Sequence, residues 1–448
     1  MPITDREHKS TGAELDKHRL AFIIIAILLV LWYVGSQEEE EKIESSIHSS
    51  YFFNNSKSLG QNAVAIVLTV DQRLRNHEIR LIGIDEEGKK TSSRATVSLE
   101  SDVKDQHFVT ALIQANLKVN HLKKLKMEVN DDVFEVPFRS IDSSRPRHPV
   151  VFCVAPQVIS ENWQHFVAQI HIARHFGAHV HMYLSRVIEP FFELLQEYEK
   201  REFISVQPWL HHSRATDGAA FTDCLLQYKD RARYVAFVEF NEILIPSGAD
   251  SYFEEYLREF GGHRLISSLY YPEYRMKTKI PASWNGYSFD NLIRDGEIKM
   301  GRNLGRLVVR TDMFNSTGSR YSANANTRMN LRITKRVSNG VIRLKQAGAR
   351  KLHRAMPSAI LRNFPLLSDG LLDAIETHWN RLKKSSVFQT LEGNLPRHPI
   401  FSNTLKKCMT TFSHGYAVPP RRIEMHRFPR HHENTTFPVE SNSLYIIG

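Results

Sequence analysis

The sequence predicts an α/β fold: a mostly parallel sheet with crossover helices, preceded by a small β-rich, sandwich-like domain and by an N-terminal transmembrane helix. Three observations predict it. Beyond Val150, short apolar strand runs alternate with segments of helical period. Between Ala63 and Ile141 the apolar runs are short, β-rich and separated by turn residues. Leu20 to Gly35 is apolar without interruption.

The α/β part opens with Val151–Ala155, a buried strand ended by Pro156. Ser160 is placed to cap a helix on which Trp163, Phe166, Val167, Ile170 and Phe176 recur at helical spacing, and Gly177 closes it. Ala178–Leu184 alternates apolar residues with His179, His181 and Tyr183, a strand whose histidines line a sheet face. Phe191, Leu194, Leu195 and Tyr198 mark the next helix, with Pro190 tolerated in its first turn. Phe203–Val206 is a strand, His211–His212 a loop, and Phe221, Cys224, Leu225 and Tyr228 another helix. Strand and helix alternating in this way predict parallel strands joined by right-handed crossovers. Further on, Leu371 to Lys384 predicts a helix with Leu372, Ile375, Trp379 and Leu382 on its core face, and 419–448, rich in Pro, Arg and His, reads as a tail.

The β-rich domain is placed at 61–145. Val64–Val70, Ile79–Ile84, Ala95–Leu99, Phe108–Ile113, Leu125–Val129 and Val133–Phe138 are its strands, and it holds no titratable cluster, so its role reads as accessory. Ser143 to Pro149 marks the boundary, and the main domain follows at 146–418. Before the β-rich domain, 36–60 is charged and then Ser/Asn-rich, a stem. The apolar run 20–35 has 16 residues, somewhat short of the ~20 that span a typical bilayer. Lys17, His18 and Arg19 precede it and Glu38 to Glu41 follow, so the positive-inside bias keeps 1–19 in the cytosol and the rest in the lumen. A cleaved signal peptide ending near Val34 or Ser36 is the rival reading; the long leader and the aromatic Trp32–Tyr33 end favour a single-pass anchor. Sequons stand at Asn54, Asn315 and Asn434.

With 42% hydrophobic and 24% charged residues the chain is ordinary globular material. Its formal charge of +10 points to an anionic partner. Thirteen Lys or Arg and one acid, Asp312, fall between Gly301 and Arg354. In a luminal protein nucleic acid is excluded as partner, which leaves a phosphorylated substrate or anionic glycan, or a solvated basic face. Three cysteines, Cys153, Cys224 and Cys408, allow at most one internal bridge, and the spacing does not say which.

The stretch Tyr234 to Pro246, Y-V-A-F-V-E-F-N-E-I-L-I-P, concentrates the chemistry. Tyr234–Val238 is a short buried strand, and Glu239, Asn241 and Glu242 place oxygen ligands at its end. Strand alternation sends Glu239 and Asn241 to the same side, an arrangement that suits a hard divalent cation; the plain alternative is a strand end turning polar at the surface. Carboxyl ends of strands are also where open α/β sheets bind ligands.

Several ordered segments carry a resemblance: E-N-W-Q-H-F-V-A-Q-I-H-I-A-R-H-F-G-A-H-V-H-M-Y-L (Glu161–Leu184), L-L-Q-E-Y-E-K and I-S-V-Q-P-W (Leu194–Trp209), D-C-L-L-Q-Y-K-D-R-A-R-Y-V-A-F (Asp223–Phe237), then E-F-N-E-I-L-I-P. Together they resemble glycosyltransferase family 92 over roughly Val150 to Ser413. The resemblance implies a GT-A catalytic domain on a type II Golgi membrane protein. It further implies inverting transfer of galactose from UDP-galactose to a glycan acceptor with Mn²⁺ or Mg²⁺. The family's D-x-D-[DE] metal motif falls on Glu239, Phe240, Asn241 and Glu242, so two carboxylates remain and a neutral amide replaces an aspartate. Weakened metal binding follows from the lost charge. K-L-H-R (Lys351–Arg354) resembles the family's late His-Tyr-Arg motif, which makes His353 a metal ligand and Arg354 a phosphate contact. By the same analogy Arg214 and Asp217 contact uridine or ribose.

Inverting displacement needs a general base on the acceptor side. W-N-G-Y-S-F-D (Trp284–Asp290) offers aromatic rings for sugar stacking and then a carboxylate, so Asp290 is assigned that role ahead of Glu273 and Asp312. The sequence therefore predicts an anchored luminal transferase. The competing expectation is a catalytically silent relative that keeps the fold and binds a glycan or a partner.

Overall fold

The computed structural model describes residues 45–71, 78–99, 108–119, 121–130, 132–141, 148–159, 163–209, 214–246, 250–261, 265–278, 284–294, 296–300, 305–317, 333–336, 341–346, 367–395 and 445–447. The expected anchor (20–35), Ser160, His211–His212, His353, Arg354 and Asn434 lie outside them. Among the described residues no helix is long and apolar enough to cross a membrane. Those from Ser45 onward belong to one compact unit.

Nine strands come first: β1 (Ser45–Ser56), β2 (Gly60–Asp71), β3 (Ile79–Asp85), β4 (Lys90–Arg94), β5 (Thr96–Leu99), β6 (Phe108–Asn116), β7 (Leu122–Val129), β8 (Asp132–Glu135) and β9 (Arg139–Ile141). They form two sheets, in the orders β5-β6-β2-β1-β9 and β4-β3-β7-β8. Here the structure departs from the expected stem at 36–60. Residues 45–56 are a strand paired with β2 from Ser45↔Val70 to Ser56↔Gly60, and they bury Tyr51, Phe52 and Phe53. Serine and asparagine at seven of the twelve positions give the segment a linker's composition, while three consecutive aromatics supply a strand's burial. β4 was also hidden by composition: Lys90–Arg94 alternates exposed with half-buried side chains and is held by main-chain pairing to β3.

The α/β part follows as β10 (Val150–Ile159), α1 (Trp163–His175), β11 (Ala178–Ile188), α2 (Glu189–Lys200), β12 (Ile204–Pro208), α3 (Arg214–Gln227), β13 (Tyr234–Val238), β14 (Glu242–Leu244), α4 (Tyr252–Gly261), β15 (Ile266–Tyr271), β16 (Glu273–Thr278), α5 (Phe289–Arg294), β17 (Glu297–Met300), β18 (Arg306–Arg310), β19 (Ile333–Arg336), β20 (Val341–Gln346), α6 (Asp369–Lys383), α7 (Ser386–Asn394) and β21 (Tyr445–Ile447). The main sheet runs β12-β11-β10-β13-β18-β15-β19, with β21 beside β11. Its first four strands are mutually parallel, as the alternation predicted. β18 is antiparallel to both β13 and β15. A second, smaller sheet runs β14-β20-β16-β17. β10 does not stop at Pro156: its pairing with β11 shifts register between Val154 and Gln157 and then resumes, the irregularity that a proline without a donor requires.

The helices obey the predicted periodicity. Phe191, Leu194, Leu195 and Tyr198 are the buried residues of α2, and Leu372, Ile375, Trp379 and Leu382 those of α6. Gly177, at φ +81°, ends the turn after α1 in a left-handed conformation that glycine adopts without strain.

The β-rich part shares part of its core with the α/β part. Tyr51, Phe53, Ala65 and Val67 of its first sheet share one apolar cluster with Phe221 and Leu225 of α3 and with Val151, Val235 and Phe237 of the main sheet. Polar bonds reinforce that seam. Asp223 is fully buried, and its oxygens accept from Tyr51 (2.6 Å) and Tyr183 (2.5 Å). Burial first, and then the Asp223 charge, push both phenols well above the ordinary tyrosine value, so both remain donors. A disulfide, Cys153–Cys224, ties β10 to α3 within the same apolar cluster.

Candidate functional site: the turn after β13

Strand β13 is buried at all five positions and ends at Val238. The chain then turns, and the Glu242 N–H donates to the Glu239 carbonyl at 3.1 Å. Because Glu239–Asn241 is a turn, strand alternation does not place Glu239 and Asn241 together. Instead Glu239 and Glu242 converge, and Asn241 points elsewhere. Phe240, between them, is buried beside Phe166 and Phe191, an anchor contributing about 1.5–3 kcal/mol of apolar burial. From α1, the Gln169 amide donates to the carbonyls of Glu239 (2.7 Å) and Glu242 (2.8 Å), which fixes both ends of the turn.

Two arginines meet the carboxylates. Arg306 opens β18; continuing the register in which Ala236 faces Val308 puts it level with Val238, at the same end of the sheet as the turn. Gly305 is needed there, since a Cβ would lie 1.8 Å from the Tyr271 carbonyl oxygen. Arg343 comes from β20, directly paired with Glu242 of β14. Glu242 is wholly buried, and its carboxylate accepts four bonds. Its Oε2 receives Arg306 Nε (2.5 Å) and the Glu239 N–H (2.8 Å), while Oε1 receives Arg306 Nη2 (2.6 Å) and Arg343 Nη2 (2.8 Å). Four donors fill the acceptor positions of a carboxylate. Glu239 is the more open acid, 35% exposed at its side chain; it accepts from Arg306 Nη2 and pairs with Arg343 Nη2 at 3.0 Å. Burial works against the Arg343 charge, but Glu242 and Glu239 outweigh it and hold the guanidinium above its ordinary value. Glu273 lies beneath, buried, with Oε1 bound to Arg275 (2.9 Å) and 3.6 Å from Arg343 Nε.

This geometry tests the implied cation. Asn241 spends its amide nitrogen on the Leu344 carbonyl at 3.1 Å and has only a neutral oxygen to offer. Glu242 has no acceptor position left, and both oxygens of Glu239 are engaged by arginine. Among the described residues no group of three or more His, Cys, Asp or Glu is arranged to hold a metal ion. The described residues do not fit a divalent cation.

The other predicted residues stand on other elements. Arg214 and Asp217 lie in the first turns of α3. Asp290 sits in the first turn of α5, 44% exposed, bound to Arg294 at 2.5 Å; Arg294 also reaches Asp369 of α6 at 2.6 Å. Asp312 is held in a two-point pair by Arg310. The rings expected to stack on sugar are core instead. Trp284 and Tyr287 are each 1% exposed, and Trp284 packs on Trp163 and Trp379 at 5.0 and 4.5 Å. His179 and His181 share the Ser205 hydroxyl (2.7 and 3.1 Å), in keeping with the sheet-face reading.

Gln169, Arg306 and Arg343 were not singled out in the sequence. No local pattern marks them, because the arginine partners lie 64 and 101 residues from Glu242, beyond any spacing rule.

Comparison with known proteins gives the class. The family model described as glycosyltransferase family 92 matches residues 148–383. That is more than half of the chain, and the chain belongs to glycosyltransferase family 92. Among curated relatives, one Caenorhabditis elegans protein described as a glycosyltransferase family 92 protein is 34% identical over 296 residues, 62% of this chain and 57% of the relative. A second from the same organism is 29% identical over 396 residues, 83% of this chain and 78% of the relative. The chain thus spans little more than half the length of the first. A solved structure of S. aureus TarS with UDP-GlcNAc aligns over 52% of this chain and 72% of its own at 11% identity, with a TM-score of 0.25, too low to carry an argument. Family membership supports glycosyl transfer as the chemistry.

Proposed function

We propose that this chain transfers galactose from UDP-galactose to a glycan acceptor with inversion at the anomeric carbon. The observation that carries the reading is the turn at Glu239–Glu242, held rigid at the carboxyl end of the parallel strands in a member of a glycosyltransferase family. That is where an open α/β sheet binds its ligand. In this reading the opening of α3, with Arg214 and Asp217, faces the nucleoside, and Arg354 contacts phosphate. The acceptor oxygen attacks the anomeric carbon as the bond to the β-phosphate oxygen breaks; UDP leaves with that electron pair and the hydroxyl proton passes to a carboxylate. Asp290 is assigned the proton, being more exposed than Asp312 or Glu273.

The same reading makes the chain a single-pass type II Golgi protein with its folded part in the lumen. The Cys153–Cys224 bridge supports an oxidising compartment. One observation favours a second reading, the silent relative: the acids of the motif turn are already neutralised by arginine. A transfer assay separates the two. The full-length chain is incubated with UDP-galactose, or with UDP-glucose or UDP-GlcNAc, and a mixture of released glycans. Products heavier by one hexose from UDP-galactose support the first reading; no product from any donor, by protein shown to be folded, supports the second.

A further inference from the structure

We propose that the turn after β13 is an arginine fork for a nucleoside diphosphate that needs no divalent cation, with Glu239 as the placeholder that a phosphate displaces. The proposal rests on the donor reading above. Three features lead to it.

The first is charge. Glu239, Glu242 and Glu273 are balanced by Arg306, Arg343 and Arg275 through direct ion pairs. A dication entering this set would meet two guanidinium groups already bound to the oxygens it needs, and Asn241 adds no charge to attract it. The second is the contrast between the two acids of the turn. Glu242 is buried and saturated, which makes it a fixed strut. Glu239 is 35% exposed and fills the open side of the fork with one bond to each arginine. Its two oxygens sit where two phosphate oxygens would be received, and a planar guanidinium accepts either anion in the same geometry. The third is an unspent donor. Arg343 Nε makes no hydrogen bond and meets Glu273 Oε1 only as a loose ion pair at 3.6 Å, so this guanidinium has donor capacity to spare after a small shift.

The mechanism is an exchange of anions. The Glu239 side chain rotates outward to solvent, and the diphosphate takes its place on Arg306 and Arg343. Charge developing on departing UDP then meets fixed cations in a half-buried site, where they act more strongly than in water.

The sign of one substitution separates this from a metal-ligand role. Glu239→Gln removes the competing charge, so UDP should bind more tightly to it; a metal ligand lost at the same position would weaken UDP. The test is calorimetry of the full-length chain with UDP, in EDTA and in Mn²⁺, for the natural chain, Glu239→Gln and Arg343→Gln, each checked for fold by circular dichroism. The expected result is UDP binding of equal strength in both buffers, tightened several-fold in Glu239→Gln and weakened about tenfold or more in Arg343→Gln. UDP binding that requires Mn²⁺ and is lost in Glu239→Gln overturns the arginine fork and leaves the donor reading standing. Absence of UDP binding in both buffers, in the natural chain and in Glu239→Gln alike, overturns the fork and the donor reading together.

Discussion

Replacing Arg306 with methionine tests the arrangement on which the turn depends. The side chain is 4% exposed, and it donates twice to the fully buried Glu242 and once to Glu239. Methionine fills comparable volume but leaves Glu242 with two donors out of four, Arg343 Nη2 and the Glu239 N–H. Removing one partner of a buried ion pair in this way costs about 3–5 kcal/mol. The double variant Arg306→Met/Glu242→Leu removes the stranded acid as well as its partner, while Glu239 and Arg343 keep their 3.0 Å pair. Its cost should fall short of the sum of the two single variants by about 2–3 kcal/mol, the coupling expected of residues in one buried network. Equilibrium urea unfolding of the four proteins, with matching slopes, gives the cycle. A cost for Arg306→Met below about 1 kcal/mol, or a double variant equal to the sum of the singles, would refute the reasoning.

Three further outcomes follow from the geometry. Gly305→Ala should displace the start of β18 and with it Arg306, because the added methyl meets the Tyr271 carbonyl; a loss of several kcal/mol is expected, read as a lowered urea midpoint, and an unchanged midpoint contradicts the close approach. Removing the Cys153–Cys224 bridge, whose ends are 71 residues apart, should cost about 4 kcal/mol by loop closure; Cys153→Ala/Cys224→Ala unfolding at the parent midpoint would contradict this. Acid should destabilise the fold through its buried histidines. Burial lowers His165 to about 4, and burial followed by the neighbouring His179 and Arg139 charges lowers His181 to about 3. Both folded values lie below the unfolded one, so the stabilisation is complete above pH ~6.5 and is lost as pH falls toward those values; by pH 5 each contributes a loss of about 2 kcal/mol. Equal urea midpoints at pH 7.5 and pH 5 would contradict it.

Much of the scaffold could be read along the chain because its signals are local. The strand–helix alternation after Val150 and the apolar faces of α2 and α6 appear as predicted, since periodicity is set by near neighbours. What escaped depends on distant pairing. β1 has a linker's composition and becomes a strand only because β2 offers twelve residues to pair with. Trp284 and Tyr287, adjacent to a carboxylate, resembled a sugar platform; Trp163 and Trp379, more than 90 residues away on either side, bury them. The turn after β13 was found from its own residues. Its arginine partners were not, because nothing near Glu242 indicates that β18 and β20 return there. The anchor, His353 and Arg354 fall outside the described residues.

The most direct measurement of the central claim is transfer itself, with the cation removed. Full-length chain, UDP-galactose and mixed glycans are incubated in EDTA, and the products are weighed by mass spectrometry. The account predicts glycans heavier by one hexose, formed at the same rate when Mn²⁺ replaces EDTA and lost in Arg343→Gln. Product that forms only with Mn²⁺ contradicts the arginine fork. No product under either condition, from folded protein, contradicts the transferase reading.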